Sequence, residues 1–176
     1  MKYLMALVLA TVALPVADVA GQATGEPAVL NEPSANWNVY GSGQTHKGRK
    51  DAAVQGGGAM RVTIAAKPAN PWDVGAWAPI KGSIAKGDKL VLAFWARVAA
   101  GGTNGRTGIT GGIQQASSPH TSVVRGAVEL TGKWKLVHIT GVATADYPAG
   151  KANIALTLGG EAHTIDLGPV FVLKQN

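Results

Sequence analysis

Short apolar runs with period-two alternation, each closed by Gly, Pro, Asn or Asp, recur along nearly the whole chain. The clearest is Lys89–Val98, where Leu90, Leu92, Phe94 and Ala96 fall on one face and Val91, Ala93, Trp95 and Arg97 on the other. Successive strand side chains point to opposite faces, so this spacing predicts a strand with one buried face. Met60, Val62 and Ile64 oppose Arg61 and Thr63, and Ile154, Leu156 and Leu158 oppose Asn153, Ala155 and Thr157, in the same way. The predicted strands are Trp37–Tyr40, Ala59–Ala65, Trp72–Ala78, Lys89–Val98, Gly108–Ala116, Ser122–Leu130, Trp134–Gly141, Ala152–Leu158 and His163–Leu173. Beyond the N-terminal segment no helical apolar stripe persists for three turns. Many short strands with turns between them imply an all-β, two-layer antiparallel β-sandwich, with a jelly roll ahead of an immunoglobulin-like arrangement.

The first residues have a different pattern. Lys2 precedes an apolar run from Leu4 to Ala17, too short to span a bilayer, and Gly21-Gln22-Ala23 places small residues where a signal peptidase cuts. Residues 1–23 are therefore expected to be a signal peptide, 24–36 a Pro/Gly/Ala-rich leader, and 37–176 one sandwich domain. Export implies a secreted, periplasmic or extracellular protein, with no nucleic acid and no membrane insertion among its partners; a monomer is expected. The chain contains no cysteine, so packing, or a bound ion, must hold the fold where disulfides would be allowed. Its net charge of +6 suits solubility or an acidic partner at the cell surface. The cluster His46 to Lys50 reads as a solvated glycine-rich loop.

Signatures of catalysis are missing. There is no G-x-S-x-G elbow, no H-E-x-x-H helix and no phosphate-cradling glycine loop. The acidic residues are isolated rather than paired for glycoside hydrolysis, and the histidines lack metal-ligand spacing. His120, Arg125 and Tyr147 are the residues a lyase would draw on for a base and a charge-neutralising group. The pattern favours binding over catalysis.

Sugar rings present apolar C–H patches that stack on aromatic faces, while their hydroxyls take directional hydrogen bonds. Trp95 and Arg97 are expected to point out of the core. In Gly108–Ala116, Ile109 and Ile113 mark the inward face, which sends Thr110, Gly112 and Gln114 outward. Trp72 and Trp77 compete: if Trp72, Val74 and Ala76 are the buried set, Trp77 is outward. Trp134 reads as core beside Leu136, and Trp37 is left open. The candidate ligand-binding set is Trp72, Trp77, Trp95, Arg97 and Gln114.

PWDVGAW, KGDKLVLAFWARV, LTGKWKLVHITGVAT and ALTLGGEAHTIDLGPVFVL, in that order across residues 30–173, resemble carbohydrate-binding modules of the family 4/9 type, which are galactose-binding-like jelly rolls. The resemblance implies non-catalytic binding of polysaccharide or oligosaccharide chains on a sheet face through stacked aromatics and amide hydrogen bonds. It also implies a structural calcium ion, with Asp166 at the last-strand position and Glu32 as a stand-in for the missing first-strand acidic motif. A polysaccharide-active enzyme, either a lyase or a glycoside hydrolase on the same fold, and a structural protein of the cell envelope are the alternatives.

Overall fold

The computed structural model describes residues 26–175, so the expected signal peptide lies outside the described residues. The strands, in chain order, are β1 (Ala28–Val29), β2 (Asn38–Tyr40), β3 (Gln44–Lys50), β4 (Gly58–Ile64), β5 (Gly75–Pro79), β6 (Lys89–Gly101), β7 (Thr107–Gln115), β8 (Ser122–Leu130), β9 (Lys135–Val142), β10 (Ala152–Thr157) and β11 (His163–Gln175). They form a two-layer antiparallel sandwich of jelly-roll type. One sheet runs β3-β4-β11-β6-β9, with β1 added to β11, and the other runs β2-β5-β10-β7-β8. No helix among the described residues is long and apolar enough to cross a membrane.

The core is made by the inward sets that alternation predicts. Leu92 and Phe94 of β6, Val62 and Ile64 of β4, and Ile154 and Leu156 of β10 are buried between the sheets. Each fully buried side chain of this size contributes about 1.5–3 kcal/mol relative to exposure. Trp37 belongs here too. Its ring meets Phe94 edge-on at 6.2 Å between centroids, and its Nε1 donates to the Gly168 carbonyl at 2.9 Å. The indole is therefore buried with its polar atom satisfied.

Three local readings are corrected. His46 to Lys50 is not a loop: it lies in β3, an edge strand paired with β4 in the register Lys47↔Arg61. An edge strand carrying charge has little apolar alternation to reveal it. Trp72 is not on a strand either. Pro71–Asp73 is a short 3₁₀ turn in which the Asn70 amide donates to Asp73 Oδ2 at 2.9 Å, with Pro at the first position as helix starts favour. The strand begins only at Gly75. Finally, Val137 and Ile139 are the buried set of β9, so Trp134 and Leu136 sit on the outer side of the six-stranded sheet, where Leu136 pairs with Trp95.

Candidate functional site

The outer face of the five-stranded sheet holds a cleft of about 840 Å³, within the usual range for ligand sites. Its floor comes from outward positions of the central strand β10. Asn153 pairs with Pro79 and Gln114, Ala155 with Trp77 and Gly112, and Thr157 with Gly75 and Thr110. Small residues dominate the middle of these rows, so the sheet surface is hollow between its edges. Glycine is required at Gly112, because a Cβ there would lie 2.3 Å from the Val124 carbonyl oxygen.

Aromatic side chains build one wall. Trp77 stands outward on β5 and is 38 % exposed, while its neighbours Ala76 and Ala78 are buried. Trp72 reaches the same cleft from the 3₁₀ turn and is 64 % exposed. Tyr40 completes the wall by lying over Gly75, where a Cβ would come within 2.4 Å of its hydroxyl. Partial burial raises the Tyr40 pKa, which keeps the phenol a hydrogen-bond donor at neutral pH. Trp72 and Trp77 thus line one cleft but arrive there by different backbone routes.

The opposite wall is polar, with Gln114, His120 and Arg125. His120 Nδ1 lies 3.2 Å from the Gln115 carbonyl. A carbonyl only accepts, so Nδ1 is the donor there. In the floor, Asn153 Oδ1 is buried without a hydrogen-bond partner. An unmet acceptor is costly in a folded protein and is a frequent mark of a functional position. The arrangement can stack flat apolar surfaces at one side and hydrogen-bond hydroxyls or charges at the other.

Trp95 and Arg97 are not part of this cleft. Both point outward as alternation predicts, but β6 belongs to the other sheet and does not neighbour β7, which carries Gln114. On that sheet's outer face Trp95 Nε1 donates to Gln55 Oε1 at 3.3 Å, and the Arg97 guanidinium lies 4.9 Å from the centre of the Trp134 ring, a cation–π distance. Arg97 also donates through Nε to Asp166 at 2.9 Å and through Nη2 to Asp51 at 2.9 Å.

Asp166 is the centre of this second cluster and is fully buried. Arg61 donates to both of its oxygens, at 2.7 and 3.0 Å, and Arg49 to Oδ2 at 2.8 Å. Burial is the largest influence on its pKa and pushes it up. Hydrogen bonds from Arg61 and Arg97, with the charges of Arg61 and Arg49, outweigh burial and leave the carboxyl below the ordinary Asp value. These residues do not fit a calcium ion. Calcium needs six to eight oxygen ligands, whereas both Asp166 oxygens are engaged by three guanidinium groups. Glu32, the expected stand-in, pairs with Lys81 at the surface. No group of three or more His, Cys, Asp or Glu among the described residues could hold a metal. The N-terminal segment is fastened to β11 by an amide instead: Asn31 Nδ2 donates to the Val170 carbonyl at 3.0 Å and its Oδ1 accepts from the Val172 amide at 2.6 Å.

Neither a protein-family profile nor a curated protein matches the chain. Solved structures do match. A CBM4 structure superposes with a TM-score of 0.59 at 22 % identity, covering 79 % of this chain and 94 % of that one. The CBM22-1 xylan-binding domain of Xyn10C from Paenibacillus barcinonensis superposes at 0.59 with 14 % identity, covering 84 % and 95 %. The N-terminal cellulose-binding domain of β-1,4-glucanase C from Cellulomonas fimi superposes at 0.56 with 24 % identity, covering 80 % and 89 %. The chain therefore has the jelly-roll fold of carbohydrate-binding modules over most of its length.

Proposed function

We propose that the protein is an exported, non-catalytic carbohydrate-binding module that holds a polysaccharide chain in the cleft of the five-stranded sheet. The observation that carries this reading is the convergence of Trp72, Trp77 and Tyr40 on one wall of a cleft with a small-residue floor. A large exposed aromatic has no folding reason to stand free, and aromatic faces suit sugar rings. Gln114 and Asn153 supply amide hydrogen bonds across the floor, and the unmet Asn153 Oδ1 accepts from a sugar hydroxyl. The names of the similar domains, one binding xylan and one cellulose, support the same ligand class.

Affinity electrophoresis of the folded protein through gels containing a panel of polysaccharides tests the reading. Retardation by at least one polymer, lost in Trp77→Ala, is the expected result. No retardation by any polymer would overturn it. Release of reducing ends or of unsaturated, ultraviolet-absorbing products would instead indicate a lyase or hydrolase. Of the lyase candidates, His120 and Arg125 line the cleft, whereas Tyr147 is buried elsewhere, bridged to Ile84.

A further inference from the structure

The cleft carries charge at one side only. Arg125 closes the cross-strand row Asn38–Trp77–Ala155–Gly112–Arg125. It stands three strand spacings from Trp77, about 14 Å at ~4.8 Å per step. Among the described residues the other arginines each have a carboxylate: Arg49, Arg61 and Arg97 share Asp166, and Arg106 pairs with Glu129. Arg125 alone has none. No Asp or Glu among the described residues lines the cleft. A second hollow of about 60 Å³ lies beside Arg125, and its polar lining includes Thr110, Gln114, His120 and Ser122. That hollow has room for a small substituent but not for a sugar ring, and donors surround it.

We propose, building on the polysaccharide reading above, that the cleft selects anionic glycans, with a carboxylate or sulfate group of the chain seated on Arg125 while another sugar stacks on Trp77. A guanidinium matches either oxyanion with paired, charge-assisted hydrogen bonds. A neutral chain running the full cleft would cover Arg125 without a counter-charge and incur its desolvation, so the same residue discourages neutral ligands. The remainder of the cleft supplies stacking and hydroxyl contacts common to most glycans.

The test is affinity electrophoresis and titration calorimetry of the full protein with polygalacturonate, a sulfated glucan, neutral xylan and neutral β-glucan, at low and high salt. The wild type should bind an anionic polymer at least about tenfold more tightly than a neutral one, since a hydrogen bond to a charged group is worth about that factor or more. That preference should shrink as salt screens it. Binding to polygalacturonate alone assigns a carboxylate, and binding to the sulfated polymer alone assigns a sulfate. Arg125→Gln should remove about tenfold of the anionic affinity with no change in melting temperature, and Arg125→Lys should recover part of it. Lys47→Gln removes one charge from the outer face of the other sheet and should leave retention as it was. Equal losses in Lys47→Gln and Arg125→Gln would reduce the effect to overall charge and overturn the proposal. Neutral polymers bound as tightly as anionic ones, with Arg125→Gln indifferent and Trp77→Ala inactive, would overturn the selectivity and leave the cleft reading standing. Binding of no polymer would overturn both.

Discussion

The two outer faces of the sandwich use the same residue types to opposite ends. On the six-stranded sheet, Trp95 and Trp134 accompany Arg49, Arg61 and Arg97, and the three guanidiniums and the Trp95 Nε1 are spent inside the molecule on Asp166, Asp51 or Gln55. Beside the cleft of the five-stranded sheet stand Trp72, Trp77 and Arg125, and among the described residues no carboxylate pairs with that arginine. An arginine near a tryptophan is thus no sign of a site by itself. Whether a carboxylate of the same chain already faces it decides between a structural clamp and a free binding group.

Removing the centre of the clamp should give the largest effect. Asp166→Ala removes the only carboxylate among the described residues that pairs with Arg61 and leaves Arg49 and Arg97 with Asp51 alone, and should cost about 3–5 kcal/mol, read as a lower urea midpoint at unchanged m-value. A cost under about 1 kcal/mol would mean the cluster is only a surface ion pair. The tryptophans sharpen the contrast next. Trp77→Ala should weaken polysaccharide retention about tenfold or more with little change in stability, and Trp95→Ala should lower stability by about 1–3 kcal/mol with retention kept. The reverse pattern would exchange the roles of the two faces.

Acid should act on the fold in two stages. His163 is held neutral chiefly by burial, against an opposing pull from Glu161, so its pKa is lowered. Its Nδ1 meets the Thr107 hydroxyl at 2.8 Å, and its buried Nε2 has no partner. Its contribution is present above the unfolded value of about 6.5 and is lost as pH falls below it toward the lower folded value. Asp166, also lowered, contributes above about pH 3.9 and loses that contribution as pH falls further through its folded value. Denaturant midpoints measured from pH 8 to 3 should decline from about pH 6.5, and His163→Gln should flatten the first stage. The smallest expected effect is that of a chelator: with Asp166 clamped by arginines, the melting temperature should stay within about 1 °C. A larger fall would show that a metal binds elsewhere.

Much of the sandwich is legible in the sequence, because a strand with one buried face writes its orientation as period-two alternation. Lys89–Val98 and Ala152–Leu158 show their inward residues directly. β3 is not legible, since an edge strand with both sides near water needs no apolar set, and its antiparallel partner β4 is what holds it. Half of the candidate site was equally readable. Gln114 follows from the inward Ile109 and Ile113, and Trp77 from the buried Val74 and Ala76. Tyr40 gave no such signal, because its place over Gly75 depends on two strands distant in sequence. Asn153 was visible as an outward residue of β10, but its unmet oxygen was not.

The order of apolar and polar positions therefore determined, by itself, that this chain forms a two-layer β-sandwich and which residues leave each strand on the core side. Only the tertiary structure decided which sheet each outward residue decorates, because alternation sets a side chain's face on its own strand while long-range pairing sets that strand's neighbours. For that reason Trp95 and Arg97, outward as the pattern requires, face away from the cleft, and Asp166 meets three arginines from β3, β4 and β6 rather than the oxygen ligands of an ion.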